Sequence, residues 1–210
     1  MTNYETLPNG VIHQKTIVNK IKDYDVNYVD ERYNSYGEKG LQMAYLRYGY
    51  MKGVITKPIL SILDVGYGNG DFLKVCKNTI DYCYGNDISE YPLPENCTFV
   101  NDIKDNYYDV ICFFDSLEHF EDINFVKDLN CQYIYLSLPF CHNFNLEWFR
   151  NWKHRREDEH LWHFNDGSLN NFMMSMGFEN VCYSSVEDNI RKGVDENINI
   201  LTGVYKRIHA

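Results

Sequence analysis

Positive charge is scarce in this chain. Twenty Lys and Arg face 30 Asp and Glu, for a formal charge of −10 at pH 7. Nucleic-acid affinity comes largely from basic residues that neutralise phosphates, so no extended nucleic-acid surface is expected. No apolar run approaches the ~20 residues of a membrane span, and the first residues carry no apolar signal segment. The expectation is a cytoplasmic protein. None of the seven cysteines forms a C-x-x-C pair, and the histidines show no H-E-x-x-H spacing. Those are the arrangements that announce zinc, so no metal is expected and the cysteines read as free thiols of a reducing compartment. No Walker turn, internal repeat, linker or low-complexity tract is present. A single domain over residues 1–210 is implied, long enough to bury roughly 70% of its unfolded surface.

The richest stretch is Ser61–Leu73, read as Ser-Ile-Leu-Asp-Val-Gly-Tyr-Gly-Asn-Gly-Asp-Phe-Leu. Ile62, Leu63 and Val65 form the short apolar run of a strand buried on both faces. Gly66, Gly68 and Gly70 then alternate, and Phe72 to Lys77 follow an amphipathic pattern. The stretch predicts a strand, a tight turn and a helix whose free N–H groups face a ligand. A dinucleotide fingerprint would read G-x-G-x-x-G, whereas Asp71 stands where its third glycine would fall. Tyr82–Asp87 is read as the second strand. Asp87 closes it, where nucleotide-binding logic places a carboxylate on both ribose hydroxyls.

The pattern D-x-G-x-G-x-G, from Asp64 to Gly70, resembles that of class I methyltransferases that use S-adenosyl-L-methionine. The element Asp115-Ser116-Leu117-Glu118-His119-Phe120 is similar to the strand-four end of their small-molecule branch. The resemblance extends from about Ile59 to Pro139 and is looser beyond. It implies S-adenosyl-L-methionine as cofactor, held by Asp64, Gly66, Tyr67, Gly68, Gly70, Asp87, Ile88, Asp102, Ile103, Phe114, Asp115 and Leu117. Asp102 and Ile103 take the adenine edge in that reading. It also implies methyl transfer to a small-molecule acceptor, a hydroxyl being the commonest in that branch. No Asn/Asp-Pro-Pro-Tyr/Phe follows the fourth strand and no Pro-Cys dipeptide occurs, which argues against base-amine and cytosine-C5 chemistry.

The expected fold is α/β, with a doubly wound, mostly parallel, seven-stranded Rossmann-like sheet and an antiparallel last strand. Tyr82–Asp87, Cys97–Val100, Tyr108–Phe114 and Gln132–Pro139 supply strands two to five, and Val181–Val186 and Ile198–Tyr205 the final pair. Ser89–Asn96 carries Pro92 and Pro94 and is too short for a full helix. Helices are expected at Gly37–Val54, Asp122–Leu129 and from Asn165 or Asp166 to Gly177. Residues 1–55 read as a lid and helical extension; the tyrosines of Tyr28–Tyr36 resemble a methyltransferase lid, and the Gly37–Val54 helix is expected across the entrance. Residues 140–165 read as a substrate-side insertion whose Trp148, Trp152 and Trp162 roof the acceptor or, alternatively, form a core or homodimer contact.

His119, His160 and His163 are the candidate general bases, since imidazole titrates near neutrality; each also suits a structural hydrogen bond. The run Lys153–Arg156 is flanked by Glu157, Asp158 and Glu159 and reads as a solvated face. As a phosphate contact it would instead suit a nucleic-acid or nucleotide methyltransferase. A non-catalytic protein that keeps the cofactor fold is the third alternative.

Overall fold

The computed structural model describes residues 3–19, 24–142, 145–191 and 197–208. A seven-stranded sheet carries the fold. Its strands are β3 (Ser61–Val65), β4 (Tyr82–Asn86), β5 (Cys97–Phe99), β6 (Tyr108–Phe114), β7 (Cys131–Pro139), β9 (Phe178–Ser184) and β10 (Ile200–Arg207), in spatial order β5-β4-β3-β6-β7-β10-β9. β3 to β7 run parallel, and β10 runs antiparallel to both neighbours, β7 and β9. The strand order reverses between β3 and β6, which opens a crevice at their C-terminal ends. Val110–Phe114 of β6 is an unbroken apolar run, and β7 is apolar but for Gln132 and Ser137, because both faces of these strands are covered.

One face carries helices α2 (Glu38–Val54) and α3 (Asp71–Cys76), whose Ala44, Met51, Phe72 and Leu73 pack with Ile62, Val110 and Tyr135. On the other face α5 (Asp166–Ser175) buries Leu169, Phe172 and Met173 against Leu63, Ile111 and Leu136. Asn165 begins α5 with a capping box: its side chain accepts from the Ser168 N–H while the Ser168 hydroxyl accepts from the Asn165 N–H. Such a cap stabilises a helix start by about 1 kcal/mol. Gly177, at φ 84°, ends the helix in the left-handed region that glycine adopts without strain. Among the described residues no helix is long and apolar enough to cross a membrane.

Two local expectations are corrected. Asp122–Leu129 holds only a 3-10 turn, Asn124–Asp128, because β7 begins two residues after Leu129 and leaves no room for an α-helix. The last two strands lie two to three residues from their expected limits, β9 starting directly after Gly177. The N-terminal segment, which lacks periodicity, forms β1 (Tyr4–Thr6), β2 (Ile12–Gln14) and α1 (Val26–Asn34). β2 also pairs with β8 (Trp162–His163) in a small three-stranded sheet, and strands of two or three residues are too short to show a pattern. Helix α2 packs along α3 and buries Met43, Ala44 and Met51.

Candidate functional site

The turn between β3 and α3 is built from glycines in left-handed backbone, with φ 79° at Gly66 and 55° at Gly68. A β-carbon at Gly66 would meet the Ser116 side chain, and one at Gly68 would overlap the Tyr33 hydroxyl of α1. Tyr33 therefore lies directly on the turn, and burial raises its phenol pKa well above the ordinary value. Asp87 sits just past β4. Its Oδ2 accepts from the Gly68 N–H at 2.9 Å, and its Oδ1 accepts from the N–H and hydroxyl of Ser89. A carboxylate has about four acceptor sites, so capacity remains. The neighbouring Ile88 is 83% exposed.

Asp64, on β3 beneath the turn, is 2% exposed, and its Oδ1 has no hydrogen-bond partner among the described residues. Burial pushes its pKa up to about 7, against the pull of the Arg47 charge. A buried acid with an unpartnered oxygen therefore lies beside a turn whose left-handed backbone favours glycine. Tyr67 is buried, with its hydroxyl donating to the Tyr91 carbonyl. Asp102 is exposed and accepts from the Lys104 N–H, while Ile103 packs at the edge of the core.

At the end of β6, Asp115 takes φ 51°, a left-handed conformation that costs a non-glycine residue about 1–3 kcal/mol. Its backbone N–H donates to Ser137 of β7. Its carboxylate is gripped by both terminal nitrogens of Arg191, from the short helix α6 (Asp188–Arg191). Burial alone would raise the Asp115 pKa, but Arg191 and Arg47 hold it well below the usual carboxylate range. Arg47 of α2 stacks on Phe114 at 4.1 Å and donates to the fully buried Glu187. Leu117 is fully buried in the core. Sequence reasoning missed Arg47, Glu187 and Arg191, which carry no motif.

The three candidate histidines divide. His119 and His160 meet edge to face, with ring centroids 4.7 Å apart. The His160 segment is tied to the turn Leu117–His119 by the Leu161 N–H donating to the Glu118 carbonyl. His163 lies elsewhere, buried among Tyr4, Phe149 and Trp152. Burial lowers all three pKa values, to about 2 for His160 and about 3 for His163. Glu118, not singled out from the sequence as a site residue, lies beside His119 and His160.

Trp148 of α4 (Leu146–Asn151) stacks on Trp152 at 5.2 Å and faces His142 at 4.7 Å. These three, with Lys153 and Asn199, line an open cleft of about 770 Å³ beyond β7. Part of the loop after Pro139, residues 143–144, lies outside the described residues. Trp162 is instead buried, donating to the Phe120 carbonyl and stacking on His13. Arg155 covers the Tyr4 ring and pairs with Glu157, and Arg156 pairs with Glu159.

A seven-stranded sheet of this order, with a glycine turn after β3 and acids at the ends of β4 and β6, has the architecture of the class I methyltransferases. The methyltransferase-domain family matches residues 33–183, and the chain belongs to that family. Among solved structures, the 1,6-didemethyltoxoflavin-N1-methyltransferase of Burkholderia thailandensis, with S-adenosylhomocysteine and its acceptor bound, is 12% identical. Its TM-score is 0.64, covering 99% of this chain and 100% of that one. The plantazolicin methyltransferase, bound to S-adenosylhomocysteine and a substrate analogue, is 16% identical at a TM-score of 0.59, covering 89% and 92%. The magnesium protoporphyrin IX methyltransferase of Synechocystis, also with S-adenosylhomocysteine, is 14% identical at 0.58, covering 88% and 96%. At such identities the likeness is one of fold. No curated protein matches the chain.

Proposed function

We propose that this chain transfers the methyl group of S-adenosyl-L-methionine to a hydroxyl of a small-molecule acceptor. The observation that carries the reading is the unpartnered Asp64 Oδ1, buried beneath a left-handed glycine turn whose Gly68 is tied to the strand-end acid Asp87. In this reading Asp64 faces the cofactor's ammonium, and Gly66, Tyr67, Gly68 and Gly70 line its methionine portion. Asp87 takes the ribose hydroxyls with Ile88 against the sugar. Asp102 and Ile103 take the adenine edge, and Phe114, Asp115 and Leu117 form the floor. Tyr33 closes over the turn as the lid residue. The bound cofactor supplies an electrophilic methyl on a sulfonium centre.

The chain's own part is positioning, and orientation alone supplies up to about 7–11 kcal/mol of barrier reduction. The cleft under Trp148 and Trp152 is assigned to the acceptor. The compared methyltransferases are named for toxoflavin-type, plantazolicin and protoporphyrin acceptors, which supports a small molecule. The pairing of Arg155 and Arg156 with neighbouring acids further disfavours a nucleic-acid contact there. A hydroxyl must shed a proton, and the Glu118–His119–His160 cluster next to Asp115 is assigned to receive it, with His119 its most accessible imidazole. His163, enclosed by aromatic rings, is assigned a structural role.

Calorimetry tests the cofactor assignment: Asp87→Ala lowers S-adenosyl-L-methionine affinity at least tenfold, and unchanged affinity would remove the ribose role. The acceptor class is tested by mass spectrometry on a mixed panel of hydroxyl- and amine-bearing small molecules. Methyl ethers are expected, and methylation confined to amines would overturn the hydroxyl assignment.

A further inference from the structure

We infer that Glu118, His119 and His160 form a binding site for a divalent transition-metal ion, of which zinc is the best match to the ligand set. Each residue offers one ligand atom, and the three atoms lie within 4.8 Å of one another. Ligands about 2.1 Å from one zinc ion stand about 3.4 Å apart in tetrahedral geometry, so small side-chain rotations must draw the set inward.

Three polar atoms of the cluster lack other work. Glu118 is 1% exposed, and neither carboxylate oxygen has a hydrogen-bond partner among the described residues. His160 is 5% exposed, and its Nδ1 is equally unpartnered. Buried polar groups in folded proteins are almost always satisfied, and leaving one unmade costs about 1–3 kcal/mol. Two neighbouring side chains with three such atoms, within reach of one point, are a construction that a shared cation would satisfy.

The chemistry of the set is selective. Two imidazoles and one carboxylate with open positions suit zinc and its first-row neighbours, whereas magnesium and calcium prefer oxygen alone. Burial keeps His160 neutral, the form a metal requires, and raises the Glu118 pKa well above its ordinary value; a cation would reverse the latter by stabilising the carboxylate. The charges around the site are mixed. Asp115 and Glu159 act on His119 in the direction that favours a cation, and Arg156 acts against it. Arg156 is itself paired with Glu159 at 3.0 Å. The Tyr24 hydroxyl reaches His119 Nδ1 at 3.4 Å and helps orient the ring. The site was invisible to spacing rules because His160 stands 41 residues beyond His119 and reaches it only through the pairing of Leu161 with Glu118.

The catalytic consequence rests on the methyl-transfer reading. An acceptor hydroxyl taken into an open coordination position would ionise more readily, its proton passing to solvent, and the ion would replace His119 as the activating group.

The test is cobalt(II) titrated into the full chain after chelation, with no cofactor or acceptor present, followed by absorption and calorimetry. One equivalent is expected to bind, with ligand-field bands and no thiolate-to-cobalt band in the near ultraviolet. Affinity falls at least tenfold in Glu118→Gln and in His160→Gln and stays unchanged in His13→Gln. Zinc added to the unaltered chain raises its Tm, a readout that needs no variant to fold. A thiolate band, affinity in Glu118→Gln and His160→Gln equal to that of the unaltered chain, or no Tm rise with zinc would each overturn the site. Because S-adenosyl-L-methionine binding is measured separately, failure here leaves the methyltransferase reading standing.

Discussion

At the scale of single residues, Asp64 holds the most informative free energy. Burial raises its pKa to about 7 from 3.8. The folded chain therefore holds that proton more tightly than the unfolded one, and the group's contribution to stability falls as pH rises from about 4 to about 7. Every tenfold difference in proton affinity between the two states corresponds to about 1.4 kcal/mol. Asp64→Asn removes this cost. The cofactor-free variant is expected to gain urea stability over the unaltered chain at pH 8 relative to pH 5, while its S-adenosyl-L-methionine affinity drops at least tenfold. Equal pH dependence in the two proteins would show that Asp64 is already ionised. Asp64 and Asp87 were legible in the sequence because both stand next to glycines or strand ends. Arg47 was not, since its partner Glu187 is 140 residues away.

At the scale of elements, α1 reaches the glycine turn and α4 lines the cleft beyond β7. Asp25 caps α1 by accepting from the Tyr28 N–H, and the helix then carries Tyr33 onto Gly68. Asn145 caps α4, whose Trp148 stacks on Trp152, the residue just after the helix. Trp152 also borders Phe149 and His163, so it belongs partly to the core and partly to the cleft. Trp152→Ala is expected to raise KM for the acceptor at least tenfold, with cofactor affinity within about twofold of the original. A lowered Tm with unaltered kinetics would make these rings core only. The tyrosine-rich segment Tyr28–Tyr36 was legible as composition, but which tyrosine meets the turn was not, because that depends on the angle at which α1 crosses the sheet edge.

At the scale of the whole molecule, buried imidazoles couple the fold to pH. His163 is held neutral, its pKa lowered to about 3 first by burial and then by Arg155. Below about pH 6.5 the unfolded chain takes up a proton that the folded chain refuses, so this stability is present at neutral pH and is lost as pH falls toward 3. His163→Gln is expected to flatten the decline in urea midpoint between pH 6.5 and 4, by at most about 1.4 kcal/mol per pH unit. Parallel curves for the two proteins would contradict the buried, neutral ring. The sequence by itself determined the parallel strands, the glycine turn and the acids that close β4 and β6, because apolar runs and backbone-permissive residues act within a few positions of themselves. Only the tertiary structure decided that Tyr33 rests on Gly68, that Asp115 is gripped by Arg191 across 76 residues and that His160 meets Glu118 and His119. Those meetings follow from strand order and from the docking of the N-terminal strands on Trp162 and His163, and no local periodicity encodes either.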